Sequence, residues 1–245
     1  MGIATAKPLE SKKSRVISQV LSPAVQLWLR SQVEQVESLQ FKILGGDRQI
    51  LSGHIPMVSI AASGAVYQGL HLSQLQLEGT SIRVNLGQVI KGKPLRLLEP
   101  VPVEGELVLL GSDLQASLQA PLLSNALTEL LSTFLKSNEV TNTIDNVKER
   151  QITWQNVDID QGQLTLSGTL TETVGQTTPV VIRAGLQLVT PQVLRLHPLQ
   201  IQLSSTSSPL NLDDFQIDLG SEVDLQELAL TPGQLTCRGR LTVLP

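Results

Sequence analysis

Most of this chain alternates apolar and polar residues with period two, in short runs separated by glycine, and two stretches replace that period with a helical one. Short runs joined by tight turns pair with their chain neighbours, so the sheet is expected to be mostly antiparallel. A regular strand–helix alternation of the dinucleotide-binding kind is absent. Two runs show the pattern most clearly, "VDIDQGQLTLSGTL" from Val157 and "LALTPGQLTCRGRL" from Leu228. Val157, Ile159, Gly162, Leu164, Leu166, Gly168 and Leu170 recur as Leu228, Leu230, Gly233, Leu235, Cys237, Gly239 and Leu241, each 71 residues further on. Each copy reads as a strand, a glycine turn and a second strand. Shared hairpin requirements and an internal duplication both account for the likeness.

The two exceptions repeat every three to four residues. Val16, Val20, Ala24 and Trp28 form one row, and Ile17, Leu21, Val25 and Leu29 the next, which predicts a helix over 15–37. Pro23 either kinks it or marks its first turn. The second stripe pairs Leu122, Ala126, Leu130 and Phe134 with Leu123, Leu127, Leu131 and Leu135, within a helical segment over 113–136. Ser112 or Asp113 is placed to cap its start, and Pro121 separates a short first piece from a longer second one. Residues 1–14 are polar and aperiodic and read as a flexible tail, with 15–245 as a single domain. The "GGD" at 45–47, between two apolar alternations, signals a hairpin.

Composition narrows the function classes. Apolar residues make up 41% and aromatics 2%, so a core here is built from aliphatic side chains. Net charge is −4 and no dense run of Lys and Arg occurs, which argues against a nucleic-acid partner. Cys237 has no cysteine partner in the chain, and its place beside Leu235 in a strand marks it as a small buried apolar group. "MGIATAKPLESKKSRV" lacks the apolar core of a secretory signal, and Ala6 makes the Gly2 start a poor acylation match. No eighteen-residue apolar run is present to span a bilayer.

No chemical signature survives inspection. His54, His71 and His197 are scattered, without partners at metal-ligand spacing. Ser63 lacks a nucleophile-elbow frame. Asp158 and Asp160 alternate onto one solvated face, and Asp213, Asp214, Asp218 and Asp224 match no calcium loop. No catalytic residue, metal or cofactor is therefore expected, and the chain does not read as an enzyme. What remains is aliphatic surface, which suits either an ordinary core or an acyl chain gaining about 0.8 kcal/mol per buried CH₂.

The ordered elements "DRQILSG", "YQGL", "VNLG" with "GKPL", and "DLQASL" followed by "LL" carry a further likeness. Across 15–243 the chain resembles a cyanobacterial branch of a bacterial family named for a mycobacterial phospholipid-binding envelope lipoprotein. That resemblance implies a tubular lipid-binding (BPI-like) fold and a phospholipid or similar amphiphile as partner. It transfers no catalytic motif. The chain departs from secreted members in lacking a signal peptide and lipobox cysteine, so a cytoplasmic site, or one peripheral to an internal thylakoid or plasma membrane, is expected.

The combined expectation is an α+β domain whose highly curved antiparallel sheet wraps a long amphipathic helix, with the 113–136 helix on its concave side and the 15–37 helix over an edge or open end. The function implied is non-catalytic binding, or transfer, of an amphiphile in an aliphatic groove. Its walls would be Leu70, Leu72, Leu75, Leu77, Leu122, Leu127, Leu130, Leu131 and Phe134, with Trp28 as a membrane contact. The alternative is a structural or protein-interaction module whose leucines only fill a core. Leu70/Leu72 and Leu75/Leu77 are out of phase, and a β-bulge at Ser73–Gln74 would return both pairs to one concave face.

Overall fold

A computed structural model describes residues 21–137, 151–171, 177–203, 208–212 and 215–245. The expected tail, the first residues of the 15–37 helix, Gly2, Asp213 and Asp214 lie outside the described residues. The chain begins with α1 (Ser22–Ser31), β1 (Ser38–Leu44), α2 (Asp47–Leu51), β2 (His54–Tyr67) and β3 (Leu70–Arg83). It continues through α3 (Leu86–Val89), β4 (Val101–Leu110), α4 (Gly111–Ser117) and α5 (Pro121–Ser137). Then come β5 (Gln151–Asp160), β6 (Gln163–Thr171), β7 (Thr177–Thr190), β8 (Val193–Leu203), β9 (Leu210–Leu212), β10 (Phe215–Asp218), β11 (Val223–Thr231) and β12 (Gln234–Val243).

These strands make two open antiparallel sheets, not one curved sheet around a helix. The first runs β1-β2-β3-β4-β12-β11, and the second β10-β8-β7-β6-β5 with β9 also paired to β8. Neither is curled or closed, and the expected wrapped, tubular architecture is overturned. Each apolar stripe packs on a different sheet. Leu21, just before α1, and Val25 within it join Ile43, Ile55, Val58 and Val103 in the core of the first sheet. Leu131 and Phe134 of α5 join Trp154, Ile182 and Ile201 in the core of the second. The predicted long helices are also shorter. α1 ends at Ser31 with Pro23 in its first turn, and the 113–136 segment divides into α4 and α5 at Pro121.

Ser73 does not carry a bulge. The β2–β3 register is unbroken from His54↔Arg83 to Tyr67↔Leu70, so alternation places Leu70/Leu72 and Leu75/Leu77 on opposite faces. The event at this position is a change of partner. β4 pairs with β3 only as far as Gln74↔Val108. Beyond it the buried Ser73 hydroxyl donates to Asp113 Oδ2 (2.5 Å) and accepts from Leu110 N (2.7 Å), which holds the start of α4 where a strand would continue. Asp113 is thus engaged across the fold, and α4 begins without a side-chain cap.

α4 also ties the sheets together. His71 N donates to Ser117 Oγ (2.8 Å) on the first-sheet side. On the second, Gln115 donates to Gln155 O (2.6 Å) and accepts from Val157 N (2.8 Å), satisfying the backbone where β5 bulges between Trp154 and Asn156.

The 71-residue repeat is structural. β5–β6 and β11–β12 are equivalent hairpins, with positive-φ Gly162 and Gly233 in their turns. Both bulge at the same place, after Trp154 in one and after Leu225 in the other. The turns bond reciprocally: Gly162 N donates to Leu230 O (3.1 Å) and Gly233 N to Ile159 O (2.7 Å). This exchange is what a local two-fold axis between the hairpins produces. Facing each bulge is a glycine. A Cβ on Gly239 would lie 2.5 Å from Asp224 O, and one on Gly168 2.7 Å from Thr153 O. Backbone cannot yield as a side chain does, so Gly239→Ala and Gly168→Ala should each cost about 1–3 kcal/mol of stability by overpacking. Urea denaturation measures this, and a neutral Gly239→Ala would show that the hairpin does not need the close approach.

Candidate functional site

Registers across the first sheet assemble an apolar row from all six strands: Leu39, Ala62, Leu75, Leu107, Cys237 and Leu228. Residues paired directly across strands share a face. The bulge in β11 keeps Leu225 and Leu228, three positions apart, on that face. The equivalent row of the second sheet is Val157, Leu166, Ile182, Ile201 and Leu210.

The two rows differ in cover. Val157, Leu166, Ile182 and Ile201 are 7%, 6%, 4% and 0% exposed, within the core that α5 completes. All six residues of the first-sheet row are half-buried, and none belongs to either core cluster. Val25 of α1 shares a core with Ile43 and Val58 of the neighbouring rows, and Trp28, Leu29, Phe41, Ile60 and Leu77 pack against that core. The molecule therefore carries an aliphatic face, built on the same pattern as a covered one, that its described helices leave outside both cores.

Burial on this face raises the pKa of the Cys237 thiol, and a backbone hydrogen bond with Leu107 offsets part of the rise. The thiol is thus kept neutral, as suits an apolar wall and not a nucleophile. Among the described residues no group of three or more His, Cys, Asp and Glu is placed to hold a metal ion.

A family model described as LmeA-like phospholipid-binding matches residues 12–240. The chain belongs to that family. Membership assigns it to a lipid-binding group, not to an enzyme class. No curated protein and no solved structure gives a match. No helix of the described residues is long and apolar enough to cross a membrane.

For this LmeA-like chain, the structure divides the leucines singled out by sequence among several places. Leu131 and Phe134 are 0% and 1% exposed within the second-sheet core, and Leu127 and Leu130 pack against it. Leu122 is exposed on α5. Leu77 borders the α1 core, and Leu75 lies in the half-buried row. Leu70 and Leu72 are half-buried on the other side of β3. Leu72 borders an open cleft of about 320 Å³ of mixed lining, with Val36, Ala65 and Val66 beside Gln35, Glu37, His71 and Asp113, whose polar half suits an acyl chain poorly. Trp28 is half-buried against the first-sheet core, while Leu27 beside it is 73% exposed. Sequence reasoning missed Leu39, Ala62, Leu107, Cys237 and Leu228 as a set. The signal for Cys237 and Leu228 was present in the repeat, which aligns them with Leu166 and Val157.

Proposed function

We propose that the protein binds a phospholipid or similar amphiphile without catalysis, and that an acyl chain lies on the half-buried face through Leu75, Leu107, Cys237 and Leu228. Family membership supports the ligand class. The observation that carries the location is the contrast between matched rows, one sealed by α5 and one outside both cores. An acyl chain on this face takes the role that α5 has on the second sheet, gaining about 0.8 kcal/mol per buried CH₂ with no polar group left unpaired. The α5 leucines act as core in this reading, and Leu75 is the wall residue retained from the sequence.

Protein purified from a lipid-containing host should carry stoichiometric phospholipid by native mass spectrometry and organic extraction. A clean apo mass, with no uptake of added labelled lipid, would sink the reading. Cys237 reports on the location because the chain has no other thiol. In lipid-free protein its alkylation should be slow at neutral pH and accelerate with a midpoint above that of a free thiol, since burial raises its pKa. Loading with phospholipid should slow it several-fold further. Unchanged alkylation on loading places the lipid elsewhere.

A further inference from the structure

The two connections at one end of the first sheet combine exposed aliphatic and cationic side chains. The register His54↔Arg83 and the bond from Val84 N to Gly53 O (2.9 Å) bring α2 and the α3 loop together there. Ile50, Leu86 and Leu95 anchor them in the core at 0%, 1% and 7% exposure. The buried Asn85 fixes the loop, donating from Nδ2 to Pro94 O (3.0 Å) and accepting from Arg96 N (2.8 Å). Upon this rigid base, large aliphatic side chains point outward: Leu51 is 56% exposed, Ile90 58% and Leu98 58%. The same segments, 47–51 and 83–99, carry Arg48, Arg83, Lys91, Lys93 and Arg96 together with Asp47 and Glu99, in a chain of net charge −4. Glu99 lies 4.0 Å from Arg83, and among the described residues Arg48, Lys91, Lys93 and Arg96 have no ion-pair partner.

We propose that this α2/α3 corner is the surface by which the protein docks on an anionic lipid bilayer. Exposed aliphatics beside lysine and arginine on a fixed loop match an interface where acyl boundary and negative headgroups occur together. A protein partner would not require this pairing, and the charge sign selects anionic over neutral lipid. The corner is separate from the half-buried face, so docking and lipid content are independent measurements.

The test is co-sedimentation with vesicles of phosphatidylcholine alone or mixed with phosphatidylglycerol, alongside extraction of lipid bound to the soluble protein. Wild type should pellet with the phosphatidylglycerol vesicles and weakly with the neutral ones. The Lys91→Glu/Lys93→Glu variant should lose binding by about 25-fold or more, taking roughly fivefold per cation near an anionic surface. Ile90→Ser/Leu98→Ser should also weaken it. All four side chains are exposed, so melting temperature and extracted lipid should be unchanged. Equal pelleting with both vesicle types, no pelleting of wild type, or full retention by the charge-reversed variant would each overturn the proposal. Loss of extracted lipid with vesicle docking intact would strike the binding reading instead.

Discussion

Replacing Trp154 with alanine should lower the unfolding free energy by about 3–5 kcal/mol, the usual range for emptying a large aromatic site in a core. The side chain is 1% exposed and sits among α5 and strands β5 to β8. Its Nε1 donates to Thr128 Oγ1 (3.2 Å) on α5, so the substitution also removes a polar link between helix and sheet. Collapse around the cavity is limited, because Trp154 precedes the β5 bulge and its carbonyl is held by Gln119 Nε2 (3.1 Å). Trp154→Phe, which keeps most of the volume and loses the hydrogen bond, should fall in between. A loss for Trp154→Ala below about 1 kcal/mol, within the range of an ordinary substitution, would show that α5 does not seal the second sheet as described. Equilibrium urea unfolding gives the number.

The second large effect is a contrast between equivalent positions. Val157→Asp should prevent stable folding, since residue 157 is 7% exposed inside a core that offers the charge no partner. Leu228→Asp, at the matched place in the other hairpin, should fold with a modest loss, because its side chain already reaches solvent. The same variant should fail to retain phospholipid, as a carboxylate then lies where the acyl chain is placed. Circular dichroism and lipid extraction on the two proteins separate the cases. If both variants unfold, the first-sheet face is ordinary core. If Leu228→Asp folds and keeps its lipid, the binding face lies elsewhere.

Local features could be read from the chain. The turn glycines Gly162 and Gly233, the period-two runs and the described parts of both helical stripes appear where their residues predict, because each is settled within a few positions, whereas "GGD" at 45–47 leads into α2 within the β1–β2 connection and not a tight turn. Partner choice was not readable. Two wide stripes fit one wrapped sheet or two separate ones equally well, and only the pairing of Val101 with Val243 shows how the first sheet is completed. The bulges make the same point. Leu72–Leu75, Trp154–Val157 and Leu225–Leu228 all have a spacing of three, and only the last two bulge. In the first, the phase change is real: Ser73 turns inward to meet Asp113, forty residues away in sequence. Identical spacing thus has two outcomes, decided by a distant hydrogen-bonding partner. For the candidate site, the repeat aligned Val157 with Leu228 and Leu166 with Cys237 but could not reveal that only the first of each pair would lie in a core with α5.

The late return of β11–β12 to the first sheet sets an order of events during synthesis. Strands β1 to β4 and all of the second sheet are synthesised before the β11–β12 hairpin that covers the other edge of β4. Until then the β4 edge, with its Leu107 and Leu109, is an unsatisfied template for any extended chain nearby. Among the described strands, β4 and β12 are the paired strands farthest apart in sequence, so this pairing carries the largest loop-closure cost. Truncation before residue 223 should therefore leave the second sheet's strands all present and yield a sticky, self-associating product rather than a merely shorter protein.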